Sequence, residues 1–229
     1  MAETTMLSRS HEDYLKAIYD LQARFGVAQT TAIAEVLDIA PASVSGMAKR
    51  LAELGLVERA LHRGVRLTDS GRQAALQVLR RHRIIEAYLF EKLGYEWDGV
   101  DAEAERLEHA ASDDLVEVMA RAMGNPRYDP HGAPIPTSSG DLEQPDVVPM
   151  TELSVGAAGE LRMVSDQDPE RLRFLASLGL KPGARFKVLA RQPFHGPLTL
   201  QFEGADRREQ VVGFELANSL ACTRGGVTP

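Results

Sequence analysis

The chain lacks most of what marks a secreted or membrane protein. Of its 229 residues only one, Cys222, is a cysteine, which excludes an intrachain disulfide framework and a multi-cysteine zinc site. No stretch approaches the roughly 18 uncharged apolar residues of a transmembrane helix. Met1 to Arg9 contains no apolar run of signal-peptide type. These absences point to the cytosol. Also missing are a Ser/His/Asp set, a phosphate-cradling glycine loop, a redox motif, internal repeats and low-complexity tracts, and no enzyme is expected. What remains is an ordinary globular composition, 44% hydrophobic and 26% charged. That is enough apolar material for real cores in one large domain or two to three small ones.

Positive charge is scarce overall, with a net charge of -7, and a nucleic-acid reader needs a basic footprint. The charge is unevenly laid out, however. Between Ala40 and Arg72, Lys49, Arg50, Arg59, Arg63, Arg66 and Arg72 outnumber Glu53, Glu58 and Asp69. Between Asp101 and Glu117 the order reverses: Asp101, Glu103, Glu105, Glu108, Asp113, Asp114 and Glu117 face a single cation, Arg106. One segment suits a polyanion and the other suits cations.

Apolar periodicity predicts a helix from Ser10, its N-cap, to Phe25. A short second helix follows, capped by Thr30 or Thr31, and a third runs from Pro41 to about Leu54, with Gly55 as its stop. Leu56–Ala60 and Val65–Leu67 alternate around a glycine turn as a β-hairpin, and Thr68 caps a long helix to about Leu93. This order is a winged helix-turn-helix, whose third helix enters the DNA major groove. That helix opens with Pro41 and Ala42. It offers Ser43, Ser45 and Gly46 as a small, polar base-reading face, then Lys49 and Arg50 for phosphates. Arg59, Arg63 and Arg66 on the hairpin would reach the backbone or minor groove. A helical packing module with a solvated basic hairpin is the competing reading.

A second helical block spans Asp101 to Met123, and Gly124 to Pro149 is a proline-rich linker. Short strands at Glu152–Leu153, Gly159–Val164, Arg185–Ala190, Leu198–Phe202 and Gln210–Phe214, with a helix at Pro169–Leu178, suggest an SH3-like small β-barrel. The expected architecture is mainly α with small β. Its domains are a DNA-binding domain (1–74), a helical dimerisation and metal-binding domain with the linker (75–149) and the barrel (150–229).

Asp101, Glu105, Glu108 and His109 recur at i, i+4, i+7 and i+8, which places them on one helical face. Carboxylates so crowded repel one another unless a cation sits among them, although a solvated acidic face is the bland alternative. His82 and Glu86 stand at i, i+4 within an apolar stretch, where polar groups need partners. Asp13, beside Tyr14 and Leu15, is a candidate to complete the set from the first helix. Two other classes remain open. A dimetal carboxylate enzyme would want Glu-x-x-His from each of two helices, which is not the order here. A winged-helix regulator that ignores metal and answers to an organic ligand would bind DNA in the presence of EDTA.

Together, His11-Glu12-Asp13-Tyr14-Leu15-Lys16-Ala17-Ile18-Tyr19, the helix-turn-helix through Ser45, Arg81-His82-Arg83, Leu107-Glu108-His109 and the linker run Gly124-Asn125-Pro126, Pro130-His131-Gly132 and Pro134-Ile135-Pro136 carry a resemblance. The whole chain resembles the diphtheria-toxin-repressor-like family of metal-dependent transcriptional regulators, especially its manganese-responsive members. The resemblance implies a primary metal site on Asp13, Glu105, Glu108 and His109. It implies an ancillary site on His82, Glu86 and Asp101, helped by the barrel near Asp168 or Glu170. Iron-type members carry methionine where Asp13 stands and cysteine where Glu105 stands. Two hard oxygens in place of sulfurs shift the preference toward Mn²⁺, with Fe²⁺ the alternative. Lys16, Asp101 and Arg171 depart from the family's usual glutamate, histidine and glutamine. The implied protein is a homodimeric repressor with two metal sites per subunit, binding a palindromic operator in double-stranded DNA near metal-homeostasis genes, with no membrane partner.

Overall fold

The computed structural model describes residues 7–60, 64–165, 168–203 and 208–224. The chain forms two compact units. The first comprises the described residues up to Arg81 with Pro136–Leu142, and the second the described residues of His82–Ile135 and of Glu143 onward.

In the first unit, α1 spans Arg9–Phe25, α2 Thr30–Val36 and α3 Pro41–Glu53. The cap of α1 lies two residues earlier than expected. Ser8, not Ser10, accepts from the His11 N–H, and the Ser8 N–H donates to His11 Nδ1, closing a capping box. No side chain caps α2, whose N-cap is Gln29. Pro41 begins α3 as predicted. The hairpin pairs β1 (Val57–Ala60) with β2 (Gly64–Leu67). Val65 also bridges Ala28, giving the wing a third edge. Gly64 makes that approach possible. Its φ is +104° and a Cβ there would lie 2.1 Å from the Ala28 carbonyl oxygen. Leu15, Ile18, Ile33, Val44, Leu51, Val57 and Val65 form the core, so every helix and the wing are fixed to one cluster. Thr68 caps α4 (Asp69–Leu93), accepting from the Gly71 N–H at 3.0 Å.

The second unit contains the distal half of α4, then α5 (Val100–Leu107) and α6 (Asp113–Ala122). The helical block expected from Asp101 to Met123 is thus two helices rather than one. Ser112 caps α6 by accepting from the Leu115 N–H, and Glu108 and His109 leave α5 as a tight turn. Ile84, Val116, Ala120 and Ile135 form one small core, and Ile85, Leu89, Val100 and Ala104 another.

The barrel has the strand order β3-β8-β4-β5-β6-β7, all antiparallel. These strands are β3 (Val148–Pro149), β4 (Ala158–Val164), β5 (Arg185–Arg191), β6 (Leu198–Phe202), β7 (Glu209–Val212) and β8 (Leu220–Arg224). The helix expected at Pro169–Leu178 is α7, and α8 (Phe214–Asn218) precedes β8. The expected strand at Glu152–Leu153 is instead a 3₁₀ turn over Met150–Glu152, and the run predicted to reach Phe214 stops at Val212. Strand β8 is an addition. Leu220 and Cys222 point into the core while Ala221 and Thr223 do not. Burial pushes the Cys222 thiol up to about 12, so it serves as a small core residue. Trp97 is buried in the same core as Phe186, Leu161 and Leu200. No described helix is long and apolar enough to cross a membrane.

The proline-rich linker is irregular but held in place. Asp129 Oδ1 accepts from the His131 and Ala133 N–H groups at 2.8 and 2.9 Å. Gly132, at φ +86°, lies against β4, where a Cβ would meet the Arg162 carbonyl oxygen at 1.8 Å. The Val164 N–H donates to the His131 carbonyl at 2.9 Å.

Candidate metal centre and DNA-binding face

The break between α5 and α6 reshapes the acidic face. His82, projecting from α4, meets carboxylates with both ring nitrogens. Its Nδ1 is 2.5 Å from Glu108 Oε2, and its Nε2 is 3.3 Å from Asp101 Oδ1 and 3.7 Å from Glu86 Oε2. A neutral imidazole has one donor, so this arrangement calls for a proton or a cation. Glu108 is fully buried, and its Oε1 lies 3.3 Å from His109 Nε2. An isolated buried carboxylate is costly, and Glu108 is held between two histidines. Glu105, Glu108 and His109 each offer a ligand atom within 4.8 Å of the others'. Asp101, which the helical spacing grouped with them, is the residue facing His82 and Glu86, and those three also converge within 4.8 Å.

A third set went unread in the sequence. Glu86, Asp129 and His131 are all buried and present ligand atoms within 4.8 Å. His131 Nε2 is 3.0 Å from the Trp97 carbonyl oxygen, and its Nδ1 is 3.4 Å from Glu86 Oε1. A carbonyl that fixes one ring nitrogen and aims the other is the orienting shell that metal-binding histidines use. Burial, then the nearby Glu86 charge, pushes the Asp129 carboxyl up to about 6. Burial draws His131 down, but Glu86 and Asp129 outweigh it and its basicity ends above the ordinary value. His131 was visible in the linker run, but neither it nor Asp129 has the helical spacing that exposed the other ligands.

Asp13 lies on α1 in the first unit, partly buried, with Arg9 Nε 3.9 Å from its Oδ2. Asp168 is used elsewhere. It is the N-cap of α7, with Oδ1 accepting from the Glu170 N–H at 2.8 Å. It joins none of the ligand groups found among the described residues. The donors that do converge are carboxylate oxygens and imidazole nitrogens with no sulfur, a set suited to Mn²⁺ or Fe²⁺.

The DNA-binding candidates lie on one helix and one hairpin of the first unit. On α3, Val44, Ala48 and Leu51 face the core, and this turns Pro41, Ala42, Ser43, Ser45, Gly46, Lys49 and Arg50 outward, all exposed. Nothing lies within 4 Å of a Cβ built on Gly46, so that part of the helix is open to a close approach. Arg59 and Arg66 are exposed on the hairpin, and Arg63 lies outside the described residues.

Comparison with known proteins shows the family. Residues 6–65 match the N-terminal DNA-binding domain of iron-dependent repressors. Residues 68–137 match the metal-binding and dimerisation domain of the same family, and residues 148–220 the FeoA domain. The iron-dependent repressor IdeR of Mycobacterium tuberculosis is 34% identical over 189 residues, covering 77% of this chain and 82% of that protein. The diphtheria toxin repressor of Corynebacterium diphtheriae is 27% identical over 205 residues, covering 85% and 89%. A manganese-dependent transcriptional repressor solved in complex with manganese superimposes with a TM-score of 0.87 at 37% identity, over 94% of this chain and all of that one. The three matched segments correspond to the helices and wing of the first unit, the helical block and the barrel, and the chain belongs to the diphtheria-toxin-repressor-like family of metal-dependent DNA-binding transcriptional regulators.

Proposed function

We propose that the chain represses metal-uptake or homeostasis genes as a homodimer on a palindromic operator, with Mn²⁺ as its activating cation and Fe²⁺ as the alternative. The observation that carries the reading is the convergence of Glu105, Glu108 and His109, with Glu108 fully buried. Glu105 and Glu108 are hard oxygen donors whose like charges repel, and His109 adds an imidazole nitrogen, a set that a divalent cation would satisfy. In this reading Asp13 of α1 joins them as the fourth ligand. A bound cation supplies the positive charge that lets these groups share one site.

The residues do the rest. Asp13 belongs to the DNA-binding domain, and Glu105, Glu108 and His109 belong to the dimerisation domain. Holding them to one centre fixes where each recognition helix points. Half-sites one helical turn apart require about 34–36 Å between the two helices. By linkage, DNA then tightens metal binding by the factor that metal tightens DNA binding. The second cation per subunit is taken by Glu86 with Asp129 and His131, because all three are buried and Trp97 orients the imidazole. His82 and Asp101 compete for Glu86 in the arrangement that the resemblance implies. We place the domain boundaries near residues 74 and 149.

The test is Asp13→Ala. It should raise the Mn²⁺ concentration that half-activates operator binding by about tenfold to a hundredfold, with the dimer intact in sedimentation. Unchanged metal dependence would remove Asp13 from the site.

A further inference from the structure

Glu12 and Arg81 form an ion pair between α1 and α4, with only 14% and 15% of their side chains exposed. Neither residue is a metal-ligand candidate, yet each immediately precedes one: Glu12 precedes Asp13 and Arg81 precedes His82. We propose that Glu12 and Arg81 are positioning residues that set the orientation of Asp13, and with it the metal concentration at which the protein engages DNA. This rests on the reading that Asp13 is a ligand.

Successive residues on an α-helix diverge by about 100° around its axis. Glu12 therefore holds α1 from a face different from the one that carries Asp13. A second grip at that angle adds to the packing of Leu15 and Ile18 in resisting rotation of the helix about its own axis. With side chains reaching about 5–6 Å from the axis, a 20° roll would carry the Asp13 carboxylate about 2 Å. Metal–ligand distances tolerate about 0.2 Å. An arginine suits the task because its planar fork is stiff and stays charged. Being cationic, it also cannot compete as a ligand.

The experiment uses the full chain and titrates Mn²⁺ into protein with a fixed operator duplex. Glu12→Gln, Arg81→Met, Arg81→Lys and the swap Glu12→Arg with Arg81→Glu are compared with Asp13→Ala. Glu12→Gln and Arg81→Met should raise the half-activating Mn²⁺ concentration about tenfold and leave operator affinity at saturating Mn²⁺ unchanged. Arg81→Lys should fall between them and the parent, and the swap should recover most of the loss. A pair that serves stability alone would lower melting in EDTA and leave the Mn²⁺ midpoint within twofold, and that result overturns the proposal. If a single variant fails to fold, the swap and Arg81→Lys still give the midpoint. If Asp13→Ala also leaves the midpoint in place, the underlying ligand reading has failed, and the proposal falls with it.

Discussion

Replacing Asp129 by asparagine should have opposite effects with and without metal. The carboxyl titrates near 3.8 in an unfolded chain and near 6 in its buried place beside Glu86. A carboxyl whose folded value is raised contributes its stability below the unfolded value and loses it as pH rises through the folded one. Between about pH 4 and pH 6 the metal-free protein therefore becomes less stable, by up to about 3 kcal/mol at 1.36 kcal/mol per unit. Asparagine mimics the protonated form and keeps the Oδ1 that accepts from the His131 and Ala133 N–H groups. At pH 7.5 without metal, the variant should be on the order of 1–3 kcal/mol more stable than the parent, and at pH 4 the two should match. Mn²⁺ should invert the order, because the variant offers one anionic ligand fewer. Trp97 provides the assay. It is the only tryptophan, it is buried in the barrel core, and its ring centroid lies 5.2 Å from that of His131. Thermal melts followed by its fluorescence, in EDTA and in Mn²⁺, read the unit concerned, at about 2–4 °C per kcal/mol. A variant less stable than the parent in EDTA at pH 7.5 would refute the reasoning, as would one that gains as much from Mn²⁺.

Other outcomes follow from the same geometry. In the parent, quenching of Trp97 by Mn²⁺ should need more metal as pH falls below about 6, because the proton on Asp129 must leave first; a pH-independent midpoint would contradict this. Gly64→Ala should force the hairpin off Ala28 and cost DNA affinity at saturating Mn²⁺ without moving the Mn²⁺ affinity measured in the absence of DNA. Arg66→Ala should weaken binding alike on all operator sequences and reduce the salt slope by about one counterion, which a salt titration of binding reads directly.

The DNA-binding half was legible because it is local. Pro41 opens α3, Val44, Ala48 and Leu51 mark its buried stripe, and the basic residues appear on the opposite side. The second half depended on choices that periodicity does not record. Asp101 to Met123 keeps helical rhythm throughout, and only the Ser112 cap reveals the break that turns Glu108 and His109 out of α5. Asp101 and Glu105 share a helix, yet Asp101 converges on His82 and Glu86 while Glu105 converges on Glu108 and His109. Strand β8 was hidden because its inward residues include Cys222 and its outward ones Ala221, so apolar alternation is faint. Asp129 and His131 are brought to Glu86 by a linker without periodicity, held by its own hydrogen bonds and by β4. The candidate ligands legible in the sequence lie on helices or on the turn that ends α5, and those it missed, Asp129 and His131, lie on the linker.

If metal gates DNA reading, operator binding must depend on it. The direct measurement is selection of bound sequences from a random duplex pool by the purified protein, run in parallel with Mn²⁺, with anaerobic Fe²⁺ and with EDTA. One palindrome should be enriched with metal and absent with EDTA, with Mn²⁺ effective at lower concentration than Fe²⁺. The same palindrome enriched equally in EDTA would contradict metal gating.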